Sequence, residues 1–128
     1  MNIPNELLYT EEHEWARKGA DDIITVGITA FAAESLGSVV YVELPDEGDT
    51  LAKGDTMGQV ESTKSVSDLY APLTGTVVEV NSALLDSPEL INNGPYGDGW
   101  LIKIRAEAPQ ELRELMDADS YAEHIADG

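Results

Sequence analysis

The feature that most constrains this chain is a period of two in its apolar residues, repeated in short runs. Ile24, Val26 and Ile28 alternate with other residues, as do Val40, Val42 and Leu44, then Val78 and Val80, then Trp100, Ile102 and Ile104. Successive side chains of an extended strand point to opposite faces, so each set predicts one strand face turned toward a shared core. Between the runs lie Gly, Pro and Asp clusters: LPDEGD (Leu44 to Asp49), AKGD (Ala52 to Asp55) and PLTG (Pro72 to Gly75). Short strands separated by regular turn signals predict a compact, mainly β domain. Two segments break the pattern. Thr29 is placed to cap a short helix through AFAAESL, and Gly37 suits the left-handed position beyond its end. Pro109 predicts a second helical start, because its missing N–H costs nothing in a first turn. Leu112, Leu115 and Met116 then share a face, and Tyr121 with Ile125 extends it after a break. The 128 residues contain no linker-like stretch and are expected to form one domain.

Charge and composition narrow the function. With 25 acidic residues against 7 basic ones, the formal net charge is −18. A nucleic-acid binder needs a basic footprint to displace counterions, and an anionic membrane repels such a surface. The same charge would steer basic protein partners, or serve solubility alone. No apolar run approaches the ~20 residues of a membrane-spanning helix. The opening MNIPNELLYTEE is acidic and mixed rather than basic and then apolar, so no export or organelle leader is expected and a cytoplasmic location is. Cysteine is absent, which removes disulfides, thiolate metal sites and cysteine nucleophiles together. Any sulfur redox chemistry would have to arrive on a prosthetic group.

One lysine stands apart. In VESTKSVSDLYAPLTG (Val60 to Gly75), Lys64 lies between Thr63 and Ser65, with Glu61 and Asp68 near it. Gly54 lies ten residues before it and Gly75 eleven after, which suggests two similar hairpin arms meeting at a tight turn with Lys64 at the tip. Burial would depress a lysine's pKa and give it chemistry of its own, whereas exposure makes it a handle for an acylating enzyme. Glu61 and Asp68 serve that enzyme as recognition marks or are plain solvated charges. The run Glu11, Glu12, His13, Glu14 is no metal site on this reading. Neighbours on a strand alternate faces, and no HExxH spacing is present. Trp15 and Trp100 suit core or core-edge packing, and GPYGDG (Gly94 to Gly99) suits a turn into the last strand. No nucleophile elbow or P-loop appears.

The run VESTKSVSDLYAPLTGTVVEVN resembles the lipoyl-lysine segment of the glycine cleavage system H protein family. YTEEHEW (Tyr9 to Trp15), VGIT (Val26 to Thr29), LGSVVYVELP (Leu36 to Pro45), VN (Val80 to Asn81) and PYGDGWLIKI (Pro95 to Ile104) resemble it in the same order and spacing. The likeness covers about residues 6 to 125. It implies a flattened β-barrel, a barrel-sandwich hybrid over about 6–106, with a short internal helix and a C-terminal helical segment over about 109–125. It also implies lipoate in amide linkage on Lys64, with Glu61, Thr63, Ser65 and Asp68 as hairpin recognition residues and Glu14 and Phe31 in the cleft of the arm. The implied role is a monomeric shuttle without a catalytic site of its own. Its partners would be a pyridoxal-phosphate glycine decarboxylase, a tetrahydrofolate-dependent aminomethyltransferase, a flavin dihydrolipoyl dehydrogenase and a lipoate-attaching enzyme. The aminomethyl group of glycine would pass from the first to the second, and electrons to the third. Relatives often carry an acid and then His or Tyr after VGIT, where this chain has Ala30 and Phe31, and an acid where it has Ser38. A relay or carrier for 2-oxo acid dehydrogenase complexes is the alternative. A biotin carrier is a further one, although biotin carriers place methionine on both sides of the lysine.

Overall fold

Residues 3–127 are described by a computed structural model. The alternation of Ile24, Val26 and Ile28 holds: their exposures are 0%, 0% and 3% on the inner face of β3 (Ile23–Ile28). On one side of β3 lies β2 (Glu14–Lys18), antiparallel, with Trp15 opposite Gly27 and Ala16 opposite Val26. On the other lies β9 (Ile102–Ala106), with Ile104 opposite Ile24 and Ile102 opposite Val26. Adding β1 (Leu8–Tyr9), β8 (Gly75–Val80) and β5 (Thr50–Leu51) gives a six-stranded sheet in the order β1-β2-β3-β9-β8-β5. A second sheet holds β4 (Val39–Glu43), β6 (Thr56–Ser62) and β7 (Val66–Tyr70), in the order β4-β6-β7. The two sheets do not close into a barrel. They bury a shared apolar cluster, with Ile24, Val26 and Ile104 from the first and Val42, Val60 and Leu69 from the second.

Bulges correct the predicted faces of two strands. A register shift between Val39 and Tyr41 buries Val39 and Val42 and turns Val40 outward. A second shift between Val77 and Glu79 buries Val77 instead of Val78. One extra residue in a strand reverses the facing of every residue beyond it, so strict alternation through either site misassigns side chains. Trp100 likewise falls before β9, half-buried at a smaller cluster with Leu7, Tyr9, Trp15 and Tyr121.

The turn signals have a physical basis in repeated Asp side chains. The Asp49 carboxylate accepts the Asp46 N–H at 2.9 Å, and the Asp55 carboxylate accepts the Ala52 N–H at 2.9 Å. Each closes its turn with the same Asp three residues on. Helix α1 (Ala30–Leu36) forms where expected. The Thr29 hydroxyl accepts the Ala32 N–H, and Gly37 ends the helix at φ 80°. Two further short helices, α2 (Ala83–Asp86) and α3 (Leu90–Asn93), carry no apolar period long enough to forecast. The C-terminal segment is not one helix. Pro109–Glu114 form a 3-10 turn, Met116 then pairs with Tyr9 as an isolated bridge, and α4 (Ala118–Asp127) comes last. The backbone exchange between Tyr9 and Met116, 2.8 Å each way, interrupts the helix. No helix among the described residues is long and apolar enough to cross a membrane.

Gly27 is fixed by its neighbour. A Cβ there would lie 2.5 Å from Trp15 Cζ2, and the Trp15 indole donates to the Pro95 carbonyl at 2.9 Å. Gly27→Ala must displace a fully buried ring, and overpacking of this kind costs roughly 1–3 kcal/mol. The expected outcome is a lower urea midpoint with an unchanged m-value, read by tryptophan fluorescence.

Candidate functional site

Strands β6 and β7 form a hairpin whose last cross-strand pair outside the turn is Glu61 with Val66. Ser62 and Ser65 close it, with the Ser62 N–H donating to the Ser65 carbonyl at 2.8 Å. Thr63 and Lys64 are the two residues at the tip. Two-residue hairpin loops favour left-handed residues such as Asn-Gly. Among the described residues, the non-glycines with positive φ are His13, Asp21 and Asp22, so the tip does not use that solution. Ser62 supplies another. Its hydroxyl accepts the N–H groups of Lys64 and Ser65, both at 3.1 Å, and approaches the Ser65 carbonyl at 3.2 Å. A hydroxyl side chain satisfies the turn amides that the backbone geometry leaves over. The Thr63 N–H donates to the Ser38 carbonyl at 3.0 Å, which ties the tip to the end of α1.

Lys64 is exposed. Its stem crosses the bare backbone of Gly37, where a Cβ would meet Lys64 Cε at 3.1 Å. The ion pairs among the described residues are Lys53–Glu114 at 2.7 Å and Lys103–Glu79 at 3.4 Å, and neither involves Lys64. Thr63, Ser65 and Glu61 are exposed beside it. Asp68 is exposed two pairs further down, opposite Gln59, and accepts from its amide at 3.2 Å. Tyr41, Glu61 and Val66 lie in one cross-strand row, with Tyr41 54% and Val66 55% exposed. The outer face of the hairpin sheet is thus acidic, with apolar side chains standing clear of it.

A cleft of about 460 Å³ opens beside the hairpin. Its walls come from Glu12, His13 and Glu14 before and at β2, from Phe31, Ala32, Ser35 and Leu36 of α1, and from Ser65, Ser67, Asp68 and Tyr70 of the hairpin. That volume falls within the range of small-ligand sites. Its charged lining is three acids and no lysine or arginine. Glu14 and Phe31, expected in the cleft, both line it. The segment before Glu14 is not a strand. Glu11, Glu12 and His13 form a turn, with His13 left-handed at φ 71°. Among the described residues, no three His, Cys, Asp or Glu groups converge on a metal position.

Glu14 is only 2% exposed and spans the two sheets. Its carboxyl accepts from the Thr10 hydroxyl at 2.7 Å and from the Tyr70 N–H of β7 at 3.2 Å. Burial raises its pKa to about 7, against the lowering effect of those two hydrogen bonds. His13 is held below its usual value by burial first and then by the nearby His124 ring, while Glu12 pulls the other way. Ser67 and Tyr70 have no sequence signature of a site role, while Gly37 reads only as a helix end and His13 only as part of an acidic run. Ser62 carries one local signal, a hydroxyl two residues before the tip lysine.

The fold and its lysine-tipped hairpin define the class: a lipoyl/biotinyl-carrier-like domain with a cleft beside the hairpin. The sequence profile of the glycine cleavage H-protein family matches residues 7–128. The glycine cleavage system H protein of Anaeromyxobacter sp. (strain K) is 56% identical over 121 residues, covering 94% of each chain. That of Mycolicibacterium gilvum is 52% identical over 128 residues, covering 98% of each. The crystal structure of a glycine cleavage system H protein from Mycobacterium marinum superposes with a TM-score of 0.89 at 45% identity, covering 97% of this chain and 99% of that one. This chain belongs to the glycine cleavage H-protein family. Its role is that of the carrier protein in the glycine cleavage system.

The buried Glu14 carboxyl gives a pH test. Its folded pKa lies above its ordinary value of 4.5, so the folded state holds the proton more tightly. The stability this lends is complete below pH 4.5 and is lost as pH rises through about 7. Glu14→Gln keeps the shape of the side chain and an oxygen to accept the Tyr70 N–H, and it cannot ionise. The stability of the natural chain relative to this variant should therefore fall by on the order of 3 kcal/mol across that window. Urea unfolding of both proteins at a series of pH values measures it, and a flat difference would rule out a buried ionisation.

Proposed function

We propose that Lys64 is the lipoyl attachment site, in a single carrier domain spanning residues 1–128. The observation that carries this reading is the placement of an exposed, unpaired lysine on a two-residue turn next to an open cleft. An attaching enzyme needs an amine it can surround, and the tip of β6–β7 meets that need on all sides but the one lying on Gly37. Ser62 holds the turn so that the lysine is presented in one place, and Thr63 anchors it to Ser38. Lipoate in amide linkage supplies a disulfide that can take up the aminomethyl group of glycine and, once reduced, give up electrons. The chain itself contributes no thiol to compete with that exchange.

The cleft serves as the resting place of the arm. Apolar side chains from α1 and from Leu69 line part of it, and Glu12 and Asp68 set a negative field to which Glu14 adds as it ionises near pH 7. Such a field favours an amine-bearing cargo. Phe31 packs its ring against His13 with centroids 4.8 Å apart, which gives the cleft an apolar edge without a hydrogen bond of its own. Glu61 and Asp68 mark the hairpin for the attaching enzyme. The chain carries no catalytic site and works by visiting a pyridoxal-phosphate glycine decarboxylase, a tetrahydrofolate-dependent aminomethyltransferase and a flavin dihydrolipoyl dehydrogenase, in the cytoplasm and as a monomer.

Intact mass and peptide mapping after incubation with a lipoate-attaching enzyme, lipoate and ATP test the reading. One lipoyl group on Lys64, with none on Lys64→Ala, is the expected result. No gain, or biotin added by a biotin ligase instead, would overturn it. The net charge of −18 further predicts that association with the three partner enzymes weakens as ionic strength rises. Equal dissociation constants in low and high salt would remove electrostatic steering from the account.

A further inference from the structure

The C-terminal helix reaches the cleft through one hydroxyl. Tyr121 on α4 is fully buried, with its ring stacked on Tyr9 at a centroid distance of 4.6 Å and an interplanar angle of 9°. Its oxygen lies 2.8 Å from the Thr29 hydroxyl and 2.9 Å from His13 Nδ1. Thr29 caps α1, one wall of the cleft, while His13 lines the cleft from the turn before β2. The two walls also meet directly, the Thr29 N–H donating to the His13 carbonyl at 3.0 Å.

The protons in this chain can be placed by accounting for partners. Thr29 is fully buried, and its oxygen already accepts the Ala32 N–H at 3.2 Å. Among the described residues, the Tyr121 oxygen is the acceptor within reach of its hydroxyl proton. Tyr121 must then pass its own proton to His13 Nδ1, so that nitrogen is bare and Nε2 carries the hydrogen. The opposite direction, from His13 through Tyr121 to Thr29, would leave the Thr29 proton buried without a partner.

We propose that Tyr121 is a positioning residue of the arm cleft, whose hydroxyl links Thr29 to His13 in one directed hydrogen-bond chain, locks His13 as the neutral Nε2–H tautomer and holds the two cleft walls in register. Protonation of His13 puts a hydrogen on Nδ1, where it opposes the Tyr121 hydroxyl, so the chain breaks on acidification. The surroundings set where this happens. Glu12 on the same turn favours the charged ring; Asp68 and Glu14 share the cleft, and Glu14 is largely protonated at the lower pH where His13 titrates. His124 on α4, its ring centroid 5.7 Å away, opposes the charged ring. From α1 the ring meets the uncharged Phe31, and Tyr121 stays neutral because burial pushes its phenol up to about 12. His124 itself donates to the Glu11 carbonyl at 3.1 Å, tying the end of α4 to the same turn.

The role of the cleft rests on the assignment of Lys64 above, but the tautomer does not, and the test separates them. Imidazole nitrogen NMR of the unloaded natural chain reads His13 directly. The expected result is a protonated Nε2, an unprotonated Nδ1 and a titration midpoint below 6.5. A protonated Nδ1 overturns the proposal with no variant needed. In Tyr121→Phe, His13 is expected to lose its single tautomer and to titrate at higher pH, since the donor that favours the neutral ring is gone. An unchanged tautomer and midpoint in a folded variant would overturn it as well.

Both proteins are then loaded with lipoate and charged with the aminomethyl group. Water converts that cargo to formaldehyde and ammonia and leaves the dithiol, so formaldehyde release reports how well the cleft protects it. Several-fold faster release from Tyr121→Phe is expected, and equal release overturns the positioning role. Failure of the natural chain to load at Lys64 would instead overturn the attachment site and leave the tautomer result standing.

Discussion

Glu14 bears on the rest of the structure because it is where the two sheets are joined by a polar group. It starts β2 in the six-stranded sheet, and its carboxyl takes the Tyr70 N–H from the edge of the three-stranded sheet. A buried carboxyl is expensive unless its oxygens are satisfied, and both of these are. Glu14 and Tyr70 both line the cleft, so the same contact that fastens the hairpin sheet also sets an acid into the cleft wall. A hydrophobic pair could fasten the sheets, but it would not leave a titratable group facing the space beside Lys64.

Around this joint the molecule divides its work. The apolar cluster behind β3 and β9 supplies rigidity. The hairpin, built on Val60 and Leu69 facing inward, leaves its outer face free for Glu61, Val66, Asp68 and the tip lysine. The turn is held by a serine hydroxyl instead of a left-handed residue, which keeps Lys64 off the core while fixing where it emerges. A carrier needs this combination. A handle that moved with a loose loop would present its group in many places, and a buried one could not be reached.

The segment Glu11 to Glu14 illustrates how sequence and structure diverge at one spot. The resemblance of YTEEHEW to the H-protein family leads one to expect Glu14 in the cleft of the arm, and Glu14 lines the pocket beside the hairpin. The same four residues read as a strand would alternate faces, yet His13 is left-handed and the alternation never starts. That conformation brings the imidazole against Phe31 and Tyr121, the latter over a hundred residues away in the chain. No local pattern announces such a contact, because Tyr121 in sequence reads only as one apolar position of a tail helix. The bulges at Val39–Tyr41 and Val77–Glu79 teach the same lesson for strands. Their runs of consecutive valines tolerate either facing, and only the neighbouring strand decides which is buried.

By itself the sequence determined the strand content, the cap at Thr29, the Asp-closed turns and the tip lysine between two arms. Each depends on residues within a few positions of one another, where side-chain period and local hydrogen bonding suffice. The tertiary structure decided the division into two unclosed sheets, the break at Met116 and the cleft itself. Those features arise where distant segments compete for the same backbone groups and the same buried volume. Met116 leaves its helix because Tyr9 offers both a donor and an acceptor. The cleft exists because Glu14, Thr29 and Tyr121 each find their partner on another element, and that choice is made only when the chain is folded.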